Sequence, residues 1–156
     1  MYTGKCRCLK CGQEYDSQQM FEGCPHCKTA DFVSNITPLY QLPRTDGKRE
    51  TFLKMFPGNR LQDYLEVLPF QEKRTLVDLG VGNTALTRLE RLGNELGVEL
   101  YIKDETRNPT WGHKDRLNGV LVNKALELHA PGVVYASTGN NGASGAAFAA
   151  KAGIPC

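Results

Sequence analysis

The chain has 156 residues, of which 40% are apolar, and its formal net charge is +2 at pH 7. This composition predicts an ordinary soluble protein with one domain, or one domain and a small appendage, and the small charge argues against nucleic acid as a partner. No apolar stretch approaches the length of a membrane-spanning helix, and the first residues lack the apolar core of a signal peptide. We therefore expect a cytoplasmic protein that has no membrane partner.

Two cysteine pairs near the start of the chain, Cys8 with Cys11 and Cys24 with Cys27, predict a structural zinc site. The short spacing within each pair lets one tight turn present both sulfurs to one ion. Four thiolates form a common ligand set for tetrahedral Zn²⁺ in structural sites. The alternative is a pair of disulfides, which would need an oxidising compartment.

Other residues of this segment are expected to act beside the ligands. Cys6 is too close to Cys8 to supply a further ligand comfortably, so we expect its thiol to lie outside the metal site. His26, inside the second pair, is expected to donate to a thiolate rather than to bind the metal. Nearby cations would offset the charge of the thiolates or, alternatively, form a modest nucleic-acid patch: Lys5, Arg7, Lys10 and Lys28.

The sequence divides into three segments. We expect a zinc ribbon over residues 1–35, an irregular linker with a short helix over 36–75, and an α/β domain over 76–156. Prolines and glycines interrupt the linker, which leaves room for two helical turns over residues 60–68. The polar stretch at 44–50 is predicted as a solvated loop.

Helices and strands alternate from residue 76 onwards. Leucines at helical spacing predict a first helix that ends before Gly97, and an alternation of apolar and polar residues follows it. The predicted helices cover residues 84–96, 114–129 and 142–152, and the predicted strands cover 98–103, a buried segment at 133–136 and the beginning of another at 154–156. Such an order favours a parallel sheet flanked by helices.

The loop before the second predicted helix carries a candidate Schiff-base lysine. Lys114 would lie in the first turn of that helix, where the helix dipole disfavours a cation. A Schiff-base lysine reacts as the neutral amine, so this position would suit that role. The alternative is a surface lysine capped by Asp115, because most lysines are exposed.

The loop over residues 137–145 is a candidate anion site. Its glycines let backbone amides approach a ligand, and the N-terminus of the following helix would attract a carboxylate or a phosphate. Four side chains add short polar groups: Ser137, Thr138, Asn140 and Asn141. An ordinary turn between a strand and a helix is the alternative, and a dinucleotide-binding loop is disfavoured because the pattern G-x-G-x-x-G is absent.

Three motifs in residues 76–156 resemble those of fold-type II pyridoxal-phosphate enzymes, and most closely those of the threonine synthase family. The segment 79–86 resembles L-G-E-G-N-T-P-L, and the segment 137–142 resembles S-[ST]-G-N-x-[GA]. The family's lysine motif, K-x-E-x-x-N-P-T-x-S-F-K-D-R, is matched by Lys103, Glu105, Asn108, Pro109, Thr110, Lys114, Asp115 and Arg116. Many threonine synthases also carry an N-terminal four-cysteine zinc unit, which residues 1–35 resemble.

The resemblance implies a fold, a cofactor and a reaction. The fold would be an incomplete N-terminal part of the fold-type II domain, preceded by the zinc ribbon. Lys114 would hold pyridoxal 5′-phosphate as a Schiff base, Asn140 would hydrogen-bond its ring hydroxyl, and His113 would lie near its phosphate. The carboxylate of a small amino-acid substrate would be bound by Ser137, Thr138 and Asn141. The implied reaction converts O-phosphohomoserine to threonine and phosphate.

Departures from the family pattern keep alternatives open. Gly112 and His113 stand where the family has Ser-Phe, and Val81 and Ala85 replace Glu and Pro. A cysteate-synthase-like enzyme or an amino-acid dehydratase is therefore an alternative, as is a non-catalytic zinc-ribbon or small-molecule-binding module. Family members are much longer, so we expect a fragment or short form that binds the cofactor weakly without turnover, and that forms a homodimer or pairs with a complementing C-terminal part.

Overall fold

The computed structural model describes residues 1–17, 23–41, 49–71 and 76–156. These residues belong to two compact units, one of Met1–Met55 and Tyr64–Arg74 and the other of Phe56–Asp63 and Thr75–Cys156. The boundaries that the sequence suggests at residues 35 and 75 stay predictions. None of the helices in the described ranges has both the length and the apolar character that a membrane span requires.

The first unit contains a three-stranded antiparallel sheet. Its strands β1 (Tyr2–Cys8), β2 (Glu14–Asp16) and β3 (Ile36–Tyr40) lie in the order β2-β1-β3. Cys6 and Cys8 are both buried, two residues apart on the central strand, because successive side chains of a strand point to opposite faces. Pro38 is tolerated in β3 because that strand lies at the edge of the sheet.

Two short helices follow the sheet in the sequence. Helix α1 spans Arg49–Met55 and takes up the last two residues of the polar stretch at 44–50, so the loop prediction is wrong for those two. The rest of that stretch lies outside the described residues. A 3-10 helix, Leu61–Val67, confirms the two helical turns predicted over residues 60–68.

A small antiparallel pair of strands opens the second unit. Strand β4 (Leu86–Arg88) pairs with β5 (Tyr101–Lys103), and helix α2 (Glu90–Leu96) lies between them in the sequence. The helix predicted over 84–96 is therefore wrong at its start, because backbone pairing with β5 overrides the leucine spacing there. The predicted stop is confirmed, since Gly97 caps α2 with a φ of 67°. The strand predicted over 98–103 forms in its second half.

Two packed helices form the core of this unit. Helix α3 (Lys114–Glu127) and helix α4 (Asn140–Ala152) confirm two predicted helices, although α4 begins two residues earlier than expected. Phe148 of α4 is fully buried beside Gly119 of α3. A side chain at position 119 would begin 2.6 Å from Leu61 Cδ2 and 3.5 Å from Phe148 Cε1, so glycine permits the close approach.

The strands predicted at 133–136 and 154–156 do not form. Both segments are irregular, and Val134 is 98% exposed where burial was expected. One backbone hydrogen bond, from Val133 N to Pro155 O at 3.0 Å, joins them, whereas a strand requires a ladder of such bonds with a neighbour. Each sheet formed by the described residues is antiparallel, so the parallel sheet stays a prediction.

Asn123 anchors the segment before β4 to helix α3. Its side chain is 1% exposed, and its Oδ1 accepts a hydrogen bond from Val77 N at 2.8 Å. Its Nδ2 donates to Val77 O at 2.8 Å and to Gly119 O at 2.7 Å. Buried backbone groups need such partners. These hydrogen bonds hold Val77 in place just before the first motif, at residues 79–86.

A hydrogen-bond network around Glu105 joins the first motif to the lysine motif. Arg116 donates to the Glu105 carboxylate from Nε at 2.6 Å and from Nη2 at 2.8 Å. Thr84 Oγ1 and Asn108 Nδ2 each donate to the same carboxylate at 2.9 Å. Gly82 N donates in turn to Asn108 Oδ1 at 3.2 Å. The loops before and after β4 and β5 are thereby held together.

These contacts make Glu105 a pH-dependent source of stability. The hydrogen bonds from Arg116, helped by those from Thr84 and Asn108, lower the pKa of Glu105 from 4.5 to about 2, although burial opposes the change. A lowered pKa means that the stabilisation is complete above pH 4.5 and is lost as the pH falls through about 2. The side chains of Arg116 and Glu105 are 38% and 25% exposed, so solvent screening reduces the contribution to about 1–2 kcal/mol.

Substitution of Glu105 should therefore flatten the acid dependence of stability. We expect Glu105→Gln to lose less free energy of unfolding than the wild type between pH 5 and pH 2.5, by about 1–2 kcal/mol. Urea denaturation across this range measures the difference. The matched control is Glu95→Gln, which removes a carboxylate from an exposed pair with Arg91 and should keep the wild-type slope. A wild-type slope in Glu105→Gln would contradict the expectation.

Candidate active site and metal centre

Lys114 is the first residue of α3, and a buried acid fixes the loop in front of it. Asp115 is fully buried and accepts hydrogen bonds from Thr110 N at 2.7 Å and from Thr110 Oγ1. Its Oδ1, which accepts from the Thr110 hydroxyl, also accepts from Ser144 Oγ of α4 at 2.6 Å. Asp115 is therefore a bridge between the loop, α3 and α4, and not the surface cap for Lys114 that the alternative interpretation required.

A cavity brings Lys114 together with the second candidate loop. Its volume is about 810 Å³, and its lining consists of Lys114, Ala136, Ser137, Thr138, Gly139, Asn140 and Asn141. Two elements position these groups, since Lys114 begins α3 and the loop leads into α4. His113 lies at the N-cap of α3 with an exposed side chain and does not belong to this lining. A second cavity of about 590 Å³, along residues 88–95, contains none of the motif residues.

The polar groups of the loop have defined partners. Ser137 Oγ accepts a hydrogen bond from Gly139 N at 3.1 Å, which leaves the Ser137 hydroxyl proton for another acceptor. A side chain at position 112 would begin 3.6 Å from Asn140 Nδ2, so the lysine loop and the anion loop lie against each other. Gly139 has a φ of 157° and precedes the first turn of α4, where unpaired backbone N–H groups attract anions.

Asn118 contacts Asn141 in the wall of the cavity, although the sequence analysis did not single it out. It lies one turn after Lys114 on α3, and its side chain is fully buried. Its Nδ2 donates to the backbone O and to the side-chain Oδ1 of Asn141, both at 3.2 Å. The spacing of four residues from Lys114 places both side chains on one helix face, and this signal could have found it.

Trp111 is a second residue that the sequence analysis passed over. Its φ is 59°, a conformation that bulky residues seldom adopt, and its N donates to Asn108 O at 2.8 Å. Its side chain is 81% exposed. A large aromatic ring is thus held out to solvent three residues before Lys114.

The four predicted ligand cysteines meet in the first unit. The sulfur atoms of Cys8, Cys11, Cys24 and Cys27 all lie within 4.8 Å of one another. Two of the separations are 3.9 Å, between Cys8 and Cys27, and 3.7 Å, between Cys11 and Cys24. A tetrahedron with Zn–S bonds of about 2.3 Å has sulfurs about 3.8 Å apart. The donor set and its spacing therefore fit Zn²⁺.

Neighbouring groups adjust the acidity of these thiols. Burial raises the pKa of Cys8, but its hydrogen bonds with the backbone amides of Cys11 and Lys10 and with the Ser34 side chain outweigh this effect and bring the pKa to about 5. Burial raises the pKa of Cys27 to about 12. Tyr15 OH lies 3.1 Å from Cys24 Sγ, and its hydrogen bond lowers the pKa of Cys24 against the effect of burial.

The other expectations for this segment have separate outcomes. Cys6 is buried in β1, 3.9 Å from Tyr2 OH, and does not belong to the four-sulfur cluster. His26 is exposed and is likewise absent from the cluster. Gly23, just before the third ligand, has a φ of 74°, and a side chain there would begin 2.8 Å from Ser34 O.

Comparison with known proteins agrees with the motifs. Residues 77–156 match the family model described as "Pyridoxal-phosphate dependent enzyme". A threonine synthase of Halalkalibacterium halodurans is 47% identical over 96 residues, which is 62% of this chain and 27% of that protein. Threonine synthases of Methanocaldococcus jannaschii and Methanosarcina acetivorans are 37% and 36% identical over 96% of this chain, and the chain covers 36% and 35% of their lengths.

The chain thus spans between 27% and 36% of the length of these relatives. The similarity nevertheless extends from the cysteine pairs through the lysine motif to the anion loop in two of them. The resemblance inferred from three short motifs is confirmed. The chain belongs to the family of pyridoxal-phosphate-dependent enzymes.

Proposed function

We propose that this chain supplies the lysine-bearing part of a threonine-synthase-type active site. The proposed reaction releases phosphate from O-phosphohomoserine and adds water to give threonine. One observation carries the proposal: Lys114 shares a cavity with the hydroxyl and amide groups of residues 137–141. The identity of 36–47% with threonine synthases supports the same assignment.

The cavity suits pyridoxal 5′-phosphate in size and in chemistry. Its volume of about 810 Å³ is within the range of small-molecule sites. It offers one primary amine for the cofactor's carbonyl carbon, hydroxyl and amide groups for polar substituents, and the N-terminus of α4 for an anion. When bound, the cofactor supplies an electron sink for carbanion chemistry.

Each residue then has a distinct task. Lys114 Nζ would hold the cofactor and afterwards take and return the proton at the substrate carbon. Asn140 would hydrogen-bond the ring hydroxyl, and His113, at the N-cap of α3 beside Lys114, would approach the cofactor phosphate. The substrate carboxylate would be bound by Ser137, Thr138 and Asn141.

The hydrogen bonds within the chain support donation to a carboxylate. Ser137 Oγ already accepts from Gly139 N, so its hydroxyl proton is the group left to donate. Asn141 Oδ1 already accepts from Asn118, so its Nδ2 is likewise left to donate. A carboxylate accepts hydrogen bonds and cannot donate them when ionised, which matches this set of groups.

We further propose that Zn²⁺ occupies the four-cysteine site and stabilises the first unit. A small sheet with few buried apolar side chains gains most of its folding free energy from such a metal. Four reduced ligand thiols also favour a reducing compartment, namely the cytoplasm.

The proposed partners are a small amino acid and the protein part that completes the active site. That part would come from a second copy of the chain or from a complementing C-terminal part. Nucleic acid is not proposed as a partner, because two of the cations near the cysteines have partners within the unit. Arg7 pairs with Glu14 at 2.7 Å, and Lys10 Nζ lies 4.5 Å from the centre of the Phe32 ring.

Addition of pyridoxal phosphate should produce the visible absorbance band of a cofactor that is linked to a lysine. We expect Lys114→Ala to abolish this band, because the variant removes the amine that lines the cavity. Lys151→Ala, at an exposed position near the end of α4, is the matched control and should keep it. An unchanged band in Lys114→Ala would refute the assignment of Lys114.

Zinc removal should unfold the first unit. We expect about one zinc ion per chain by elemental analysis, and loss of the ordered β1–β2–β3 sheet by circular dichroism after chelation, because a structural zinc contributes roughly 10–16 kcal/mol of apparent binding free energy. Cys11→Ser should lose the metal, whereas Cys156→Ser, at an exposed position outside the cluster, should retain it. Equal zinc content in both variants would speak against the site.

A further inference from the structure

The Asn118 side chain lies between the lysine helix and the anion loop. It is fully buried, one turn after Lys114 on α3. Its Nδ2 reaches two oxygens of Asn141, the backbone O and the side-chain Oδ1, both at 3.2 Å. Because Asn141 lines the cavity that contains Lys114, this contact connects the helix core to the cavity wall.

The contact fixes which end of the Asn141 amide is available to a ligand. A backbone carbonyl can only accept a hydrogen bond, so the atom of Asn118 that faces Asn141 O has to be Nδ2. The same Nδ2 also faces the Asn141 side chain, which must therefore turn its own oxygen towards Asn118. The Asn141 Nδ2, with its two N–H groups, is the end that remains for a ligand.

The environment of the Asn118 side-chain oxygen, Oδ1, is evidence against a purely structural role. Its Oδ1 is buried and has no hydrogen-bond partner among the described residues. An unpaired buried acceptor costs free energy, and such groups in native proteins call for an explanation. Other buried residues of α3 and α4 are apolar, such as Val122 and Phe148, or have hydrogen-bond partners, such as Asp115 and Ser144. Asn118 thus bears a cost that an apolar side chain at the same contact would avoid.

We propose that Asn118 is a positioning residue that holds the N–H donors of Asn141 towards a ligand carboxylate. The ligand class is an amino acid, recognised through its carboxylate. Identifying that amino acid as a substrate rests on the proposed function, whereas the orientation of Asn141 does not. Asn118 acts through Asn141 and does not itself touch the ligand.

The test follows the side-chain amides by ¹⁵N NMR in the cofactor-free protein, with L-threonine as the probe. In the wild type, the Asn141 side-chain amide resonance should shift on addition of threonine and not on addition of threonine methyl ester, which lacks the carboxylate. In Asn118→Asp an acceptor replaces the donor, so the Asn141 amide should turn its N–H groups towards residue 118. The affinity for threonine should then fall about tenfold.

Asn118→Ala is the second variant, because a carboxyl group at this buried position can prevent folding. It removes the fixed orientation without introducing an acceptor, and we expect about a fivefold loss of threonine affinity. Asn94→Ala, at an exposed position of α2, is the matched control and should bind threonine as the wild type does. Thermal unfolding establishes which variants fold.

Three results would overturn the proposal: no response of the Asn141 amide to threonine in the wild type, an equal response to the ester, or wild-type affinity in whichever Asn118 variant folds. The cofactor spectrum separates this proposal from the proposed function. A missing lysine-linked band together with the expected threonine response would refute the function and leave the role of Asn118 standing. A normal band together with an unchanged threonine affinity in the folded Asn118 variants would refute the role of Asn118 and leave the proposed function standing.

Discussion

The buried carboxyl group of Asp115 is the contact on which the candidate active site depends. It accepts hydrogen bonds from the backbone and the hydroxyl of Thr110 and from the hydroxyl of Ser144 in α4. Burial of an acid costs several kcal/mol unless hydrogen bonds compensate, and here three donors do so. Since Asp115 directly follows Lys114, the same contacts place the lysine at the start of α3 and facing the loop that leads into α4.

Glu105, near the start of the lysine motif, is the second acidic residue that holds this region together. Its bidentate pair with Arg116, joined by Thr84 and Asn108, ties the motif to the segment before β4. The three motifs are therefore parts of one hydrogen-bond framework. Most of these groups shape the loops and do not reach the cavity, whose lining comes from Lys114 and residues 136–141. Asn118 extends the framework to the cavity wall by fixing the Asn141 amide.

Much of this framework could be predicted from the sequence, because it depends on local signals. Spacing and capping predict the helices that begin near Lys114 and Asn140, the glycine stop at 97 and the cluster of four cysteines. The segment 86–88 was mistaken for helix because its strand character comes from pairing with β5. The spacing from Lys114 indicates the helix face of Asn118 but not its partner, Asn141, which lies 23 residues further along the chain.

The strands expected at 133–136 and 154–156 likewise depend on neighbouring strands as hydrogen-bond partners. The local sequence of a segment does not show whether such a partner is present. A strand forms when another backbone satisfies its hydrogen bonds, and these two segments share one such bond. Formation of the predicted parallel sheet would accordingly depend on long-range pairing, in contrast to α3 and α4, whose hydrogen bonds lie within each helix.

The central claim is that folding sets Lys114 apart from the other lysines by placing it in the cavity. The most direct measurement is borohydride reduction in the presence of pyridoxal phosphate, followed by peptide mass mapping of the folded chain and of the chain unfolded in urea. The account predicts that the reduced cofactor is found mainly on Lys114 in the folded chain and is spread over the lysines in the unfolded chain. An even distribution over Lys103, Lys114, Lys124 and Lys151 in the folded chain would contradict it.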